Sequence, residues 1–154
     1  MAINKISFAY ITIPYPGMVA NPSSYLPMVA INNADPSMTY VAVISVGMLF
    51  DTKHPYAIEA DILFEDESVI DNAEASNDRM TTPYFNEVEE NQIVTLANLE
   101  MKGIKFKKSG MYKISCKLAK DLNSLRSKEF IDLLDSYFYV KVLSESVEQK
   151  NAAL

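Results

Sequence analysis

Apolar and polar residues alternate one by one over much of this chain, most clearly at 103–118, GIKFKKSGMYKISCKL. Ile104 and Phe106 alternate with Lys105 and Lys107. After the break at Lys108, Ser109 and Gly110, the residues Tyr112, Ile114, Cys116 and Leu118 alternate with Lys113, Ser115 and Lys117. A period of two marks a strand with one dry face and one wet face. Two such runs about a glycine-containing break predict a β-hairpin, with Gly110 free to take the positive φ that turns often need.

The same signature recurs along the chain. The stretch 3–13 predicts a first strand, with Ile6, Phe8 and Tyr10 on one side and Ser7, Ala9 and Ile11 on the other. Pro14 and Pro16 end it, since neither can donate a ladder hydrogen bond. A second strand is predicted at 38–50, with Tyr40, Ala42, Ile44 and Val46 facing one way. At 56–65, Ile58, Ala60, Ile62 and Phe64 are set against Glu59, Asp61 and Glu65. A strand at 93–99 feeds the hairpin, and 137–142 closes the set, Phe138, Val140 and Val142 lying opposite Tyr137, Tyr139 and Lys141.

The intervening stretches read differently. Residues 15–36 hold four of the seven prolines and predict a long surface loop, with a short extended piece at 26–31. Within 66–90 no period is clear: 68–75 suits a short helix and 77–85 an irregular segment. A polar connection covers 119–127. The stretch 128–134 fits either a helical turn capped by Ser127 or an extended edge. Residues 144–154 are expected to form a frayed polar tail, leaving 1–143 as one domain. About seven short strands, at most one or two short helices and no βαβ order predict an all-β fold. The expected form is a two-sheet antiparallel β-sandwich of immunoglobulin-like kind.

The succession IKFKKSG, MYKISCKL and FYVKV resembles small bacterial and phage-borne immunoglobulin-like sandwich proteins. Their shared pattern is an apolar strand, a Gly turn, Tyr-x-apolar-x and a closing F-x-V strand. Here it spans 104–142, about a quarter of the chain. The resemblance implies a fold and supplies no catalytic residues.

Composition narrows the classes. With 154 residues, 49% hydrophobic and 22% charged, the chain can bury a real core and is not broadly disordered. A single cysteine excludes an internal disulfide and any multi-cysteine metal site, and fits a reducing compartment. No run approaches the roughly 20 apolar residues of a membrane helix. The run 6–13 is short, ends in prolines, has one lysine before it and no small-x-small cleavage site after it. A cytoplasmic location and no membrane contact are therefore expected.

The net charge of −6 argues against a nucleic-acid partner, yet it averages over two unlike blocks. From 59 to 100 there are twelve acids and one base, Arg79; from 102 to 128 there are nine bases and one acid, Asp121. The blocks are expected to lie on separate solvated faces or to neutralise each other across neighbouring strands. The stripe of Lys105, Lys107, Lys113 and Lys117 could grip phosphates, with Tyr137 and Tyr139 offering stacking if they share its face. A solvated face, or edge lysines that block aggregation, is the favoured alternative.

Candidate chemistry is sparse. His54, the one histidine, lies in the turn DTKHP at 51–55, where a solvated imidazole is ordinary. Cys116 falls on the inward side of its strand and has no evident activator. The acids Glu65, Asp66, Glu67, Asp71, Glu74 and Asp78 lack the D-x-D-x-D-G spacing of a calcium loop. No Gly-rich phosphate loop or G-x-S-x-G occurs. No catalytic residue, metal ligand or cofactor is assigned, and the chain reads as a non-enzyme.

The expected function is a protein-binding module that presents 15–36 and 65–90 to a protein partner. Tyr25 and Tyr84 would be the anchors, and Asp66, Glu67 and Asp71 would steer toward a basic patch. A phage or mobile-element protein acting on a host protein is one concrete version. The alternative is a homo-oligomeric assembly protein pairing through edges such as 137–142. A weaker alternative is a carbohydrate- or metal-binding lectin-like domain.

Overall fold

Which sheet a strand joins depends on contacts that alternation does not encode, and the computed structural model supplies them. It describes residues 3–14, 25–53, 55–71 and 79–143. The strands are β1 (Lys5–Thr12), β2 (Ala30–Ala34), β3 (Tyr40–Asp51), β4 (Ala57–Phe64), β5 (Glu67–Ser68), β6 (Arg79–Glu89), β7 (Gln92–Ile104), β8 (Gly110–Ala119) and β9 (Asp132–Val142). Among the described residues one short helix, α1, spans Leu122–Arg126. The strands form two sheets, β1-β3-β7-β6 and β2-β9-β8-β4-β5. The expected all-β two-sheet sandwich is what the chain builds. Among the described residues no helix is long and apolar enough to cross a membrane.

The core lies between the sheets. Ile11, Ala42, Ile44, Val46 and Ala97 enter it from the first sheet, and Ile62, Ile114, Cys116, Leu118 and Val140 from the second. Each large side chain so buried contributes about 1.5–3 kcal/mol, which fixes the inward parity of the strands that carry them. One flank is seamed by polar contacts: the Ser136 hydroxyl donates to the Ala9 carbonyl at 2.8 Å and the Ile6 N–H to the Asp132 carboxylate at 2.8 Å. Lys5 adds an ion pair to Asp132 at 3.5 Å. These bonds tie β1 of one sheet to β9 of the other.

Several expectations need correction. The stretch 103–118 is not a hairpin, because β7 ends in the first sheet and β8 begins in the second. Alternation tells which side chains are dry; Ile104 and Tyr112 reach the same core from a hairpin or from a crossing. Phe106 is fully buried in that crossing, its ring 5.4 Å from Tyr112 and 6.2 Å from Phe138. The Tyr112 hydroxyl donates to the Lys108 carbonyl at 2.7 Å and pins the start of β8. Gly110 does adopt a positive φ, 150°, and the Phe64 ring stands 2.8 Å from where its Cβ would be.

The segment expected to be irregular, 77–85, is strand β6 from Arg79 onward. Every residue of β6 is exposed, so no burial pattern betrays it. Residues 137–142 are not an edge: β9 lies between β8 and β2. The sandwich is not wholly antiparallel either, since β2 pairs parallel with β9 within the expected loop 15–36. In β1 a register shift between Ile6 and Phe8 turns Ile6, Ala9 and Ile11 inward and Phe8 and Tyr10 outward. The expected polar connection 119–127 contains the helix, which is capped by Asp121, accepting from the Ser124 N–H at 2.7 Å. The stretch 128–134 holds no helical turn capped by Ser127 and is extended from Asp132, where β9 begins. Ser68–Ile70, expected to start a helix, is extended, with Ile70 bridged to Ile104. The remainder of that expected helix, the part of the loop at 15–24 and the tail at 144–154 lie outside the described residues.

Candidate docking surface

On the outer face of the first sheet, Val43, Ser45, Gly47 and Leu49 of β3 point away from the core, the opposite parity to Ala42, Ile44 and Val46. Val43 and Ser45 are nevertheless buried, and the Ser45 hydroxyl donates to the Asn98 side-chain oxygen at 2.8 Å. Opposite Gly47 in the ladder stands Phe8. An ideal Cβ on Gly47 would lie 2.4 Å from a Phe8 ring carbon, so the missing side chain is what lets the ring rest on the sheet. The Phe8 ring also stacks with Tyr10, centroids 6.0 Å apart and planes 6° off parallel.

Beside that ring, Leu49, Tyr84, Val94 and Leu96 complete a shallow slot of about 250 Å³. Tyr84 is 52% exposed and Phe8 45%. Tyr84 reaches the slot because β6 pairs with β7 in a register that sets it opposite Leu96. Its carbonyl accepts from the Thr95 hydroxyl at 2.7 Å, which holds β6 at that point. The surrounding charge is acidic on balance: Glu89 and Glu90 are exposed at the β6–β7 turn, Glu100 stands opposite Arg79, and Lys5, opposite Leu49, is ion-paired to Asp132. An apolar slot with an acidic rim suits an apolar side chain carried on a basic surface.

The sequence-predicted residues do not converge there. Tyr84 does lie on the slot. Tyr25, expected as an anchor, is buried, and its carbonyl accepts from the Tyr10 hydroxyl at 3.3 Å. Burial, with Glu100 adding to it, pushes the Tyr25 phenol above its ordinary pKa. Its backbone is thus bonded to β1, and an aromatic in a loop with no visible period gives no sign in sequence of its burial.

Asp66 and Glu67 are exposed on the second sheet, at and after the β4–β5 turn, and Asp71 follows them half-buried. Asp66 pairs with Lys113 at 3.6 Å. Glu67 and Asp71 share an open groove of about 600 Å³ with Lys105, Lys107 and Lys108. Glu59 stands directly opposite Lys117 in the β4–β8 ladder. The acidic and basic blocks therefore meet across neighbouring strands.

Tyr137 does share a face with the lysines, opposite Lys113, and Tyr139 lies opposite Met111. That face carries Asp61 and Asp135 on the same rungs as Ser115, and Lys117 is drawn over the Phe130 ring at 5.5 Å. The result is mixed in sign, not a phosphate-binding stripe. Cys116 is buried, and burial with a contribution from Asp135 pushes its thiol up to about 12. His54, Glu74 and Asp78 lie outside the described residues. Among the described residues no three His, Cys, Asp or Glu side chains gather as a metal site requires.

Phe8, Gly47, Leu49, Val94 and Leu96 were not singled out as candidates. The available signal was the run VAVISVGMLF at 41–50, apolar on both faces of one strand. No protein-family model matches the chain, and no curated protein matches it.

Proposed function

We propose that the chain is a non-enzymatic protein-binding module, an immunoglobulin-like sandwich that docks a basic protein on the outer face of the β1-β3-β7-β6 sheet. The observation that carries this reading is the slot itself. Phe8 and Tyr84 stand half-exposed about a side-chain-sized hollow lined by Leu49, Val94 and Leu96, a combination that favours an inserted anchor. The acidic rim supports attraction of a basic partner and adds more to encounter rate than to residence time.

Strand order supports the immunoglobulin-like part. Lettering β1, β3, β4, β6, β7, β8 and β9 as A to G makes the first sheet A-B-E-D and puts C, F and G together in the second. The Tyr112 hydroxyl bond to a carbonyl four residues upstream, at the start of the sixth lettered strand, is similar to the tyrosine corner of such domains. The non-enzymatic part is supported by the state of Cys116, whose buried, raised-pKa thiol is a poor nucleophile. Its free thiol also fits a reducing, cytoplasmic setting.

The test uses wild type, Leu96→Lys, Tyr84→Ala and Tyr137→Ala as baits in a native-host extract at low salt. The expected result is a basic protein retained by wild type and by Tyr137→Ala, and lost by the other two. Retention by Leu96→Lys and Tyr84→Ala, or no protein whose capture depends on the slot, overturns the proposal.

A further inference from the structure

The two edges of the first sheet are treated differently by the fold. β1 is seamed to β9 by the Ser136, Asp132 and Lys5 contacts. β6, at the other edge, runs eleven residues with all of them exposed, about twice the usual strand length. Met80 and Phe85 on its inward side, Tyr84 on its outward side and Val88 are each more than half exposed. Long bare edges pair with other strands unless something prevents it.

We infer that two copies of this chain pair antiparallel along β6, about a two-fold axis at Tyr84, joining two four-stranded sheets into one continuous sheet. The register of β6 on β7 is what selects a second copy as the occupant. Tyr84 stands opposite Leu96, Arg79 opposite Glu100 and Glu89 opposite Gln92. Arg79 and Glu89 therefore lie four ladder positions to either side of Tyr84. The strand has one register shift in each arm, between Thr81 and Tyr84 and between Glu87 and Glu89, and together they set this symmetry.

An antiparallel copy centred on Tyr84 sets Arg79 against Glu89 twice, once at each end. Tyr84 meets Tyr84, Thr81 meets Asn86, and Phe85 meets the Thr82–Pro83 bulge. Met80 meets Glu87, the one rung that gains nothing. Sliding the copy by two ladder positions sets Arg79 against Asn86 in one direction. In the other direction it leaves Arg79 beyond the strand end. Only the centred register pairs the charges. Pro83 and the two shifts blunt the edge toward an arbitrary flat strand, which leaves selectivity to this self-match.

The pairing is edge-on and leaves the slot open on each copy. It therefore stands whether or not the sheet face docks another protein. Two Tyr84 residues on the axis would have Cα atoms about 4.5–5.5 Å apart, within disulfide reach. Oxidised Tyr84→Cys is expected to run as a covalent dimer on a non-reducing gel, whereas Met111→Cys, exposed on the opposite sheet, is expected to stay monomeric. Cys116 is buried and does not compete.

Light scattering of wild type should show a concentration-dependent dimer. Arg79→Glu or Glu89→Arg alone should raise its dissociation constant about tenfold, and the double reversal should restore it. A wild-type monomer at every concentration, a dimer indifferent to both single reversals, or Tyr84→Cys that crosslinks no better than Met111→Cys overturns the inference.

Discussion

Replacing Gly47 with alanine probes the slot most sharply. A Cβ built there stands 2.4, 2.6 and 2.8 Å from three carbons of the Phe8 ring. Gly47 is not among the positive-φ residues, so its backbone accepts alanine and the ring is the obstacle. The ring must swing off the sheet. At 45% exposure about half of Phe8 is buried. Half of a typical aromatic burial, at about 25 cal/mol per Å², makes its contact worth about 2 kcal/mol. Against this, alanine in a strand is favoured over glycine by about 0.5–1 kcal/mol.

Gly47→Ala should therefore cost a net of about 1–1.5 kcal/mol in urea unfolding followed by circular dichroism. In a Phe8→Ala background the same change should be neutral or stabilising by up to about 1 kcal/mol. Equal destabilisation in both backgrounds would refute the reasoning, since the need for glycine would then lie in something other than the ring.

Three further outcomes are expected. Tyr112→Phe deletes the buried hydroxyl's bond to Lys108 and should cost about 1–1.5 kcal/mol, or a fall in Tm of about 2–6 °C; an unchanged Tm would show that the hydroxyl holds nothing. Cys116 has a folded pKa of about 12 against an ordinary 9.0, so its proton is held more tightly in the folded chain. The stability it confers is complete below pH 9 and is lost as pH rises toward 12, by at most about 1.4 kcal/mol per pH unit. Urea midpoints between pH 8 and 11 should fall less steeply for Cys116→Ala than for wild type, and equal slopes would contradict this. Removing the Lys113–Asp66 pair by Asp66→Asn should change stability by less than about 0.5 kcal/mol, because Asp66 is 91% exposed and screened by water; a loss above 1 kcal/mol would give the pair a structural role that its exposure denies.

The legible part of the fold was parity. Ile58, Ala60, Ile62 and Phe64 point inward as their alternation requires, and so do Tyr112, Ile114, Cys116 and Leu118, because a period of two has one dry solution per strand. What alternation lacks is a statement of partnership. Ile104 and Tyr112 enter one core from two sheets, and nothing in GIKFKKSGMYKISCKL distinguishes that crossing from a hairpin. β6 was hidden for a different reason: a strand paired along one edge and wet on both faces needs no periodic apolar residues.

The candidate site was legible only at Tyr84. Tyr25 and Tyr84 look alike in sequence, yet the first is covered and the second bare, a difference set by the return of 25–28 along β1 through the Met28–Ile11 bridge. Alternation groups Phe8 with Ile6 on one side of β1, but the shift after Ile6 inverts the parity and separates them, and a bulge of one residue leaves no compositional mark.

Hydroxyl-radical footprinting of the chain, alone and bound to a protein retained in the capture experiment, tests the proposed docking face most directly. The account predicts protection at Phe8, Leu49, Tyr84 and Leu96, with Met111, Tyr137 and Tyr139 on the opposite sheet unchanged. Protection of Met111, Tyr137 and Tyr139, with Phe8 and Tyr84 as reactive as in the free chain, would contradict it.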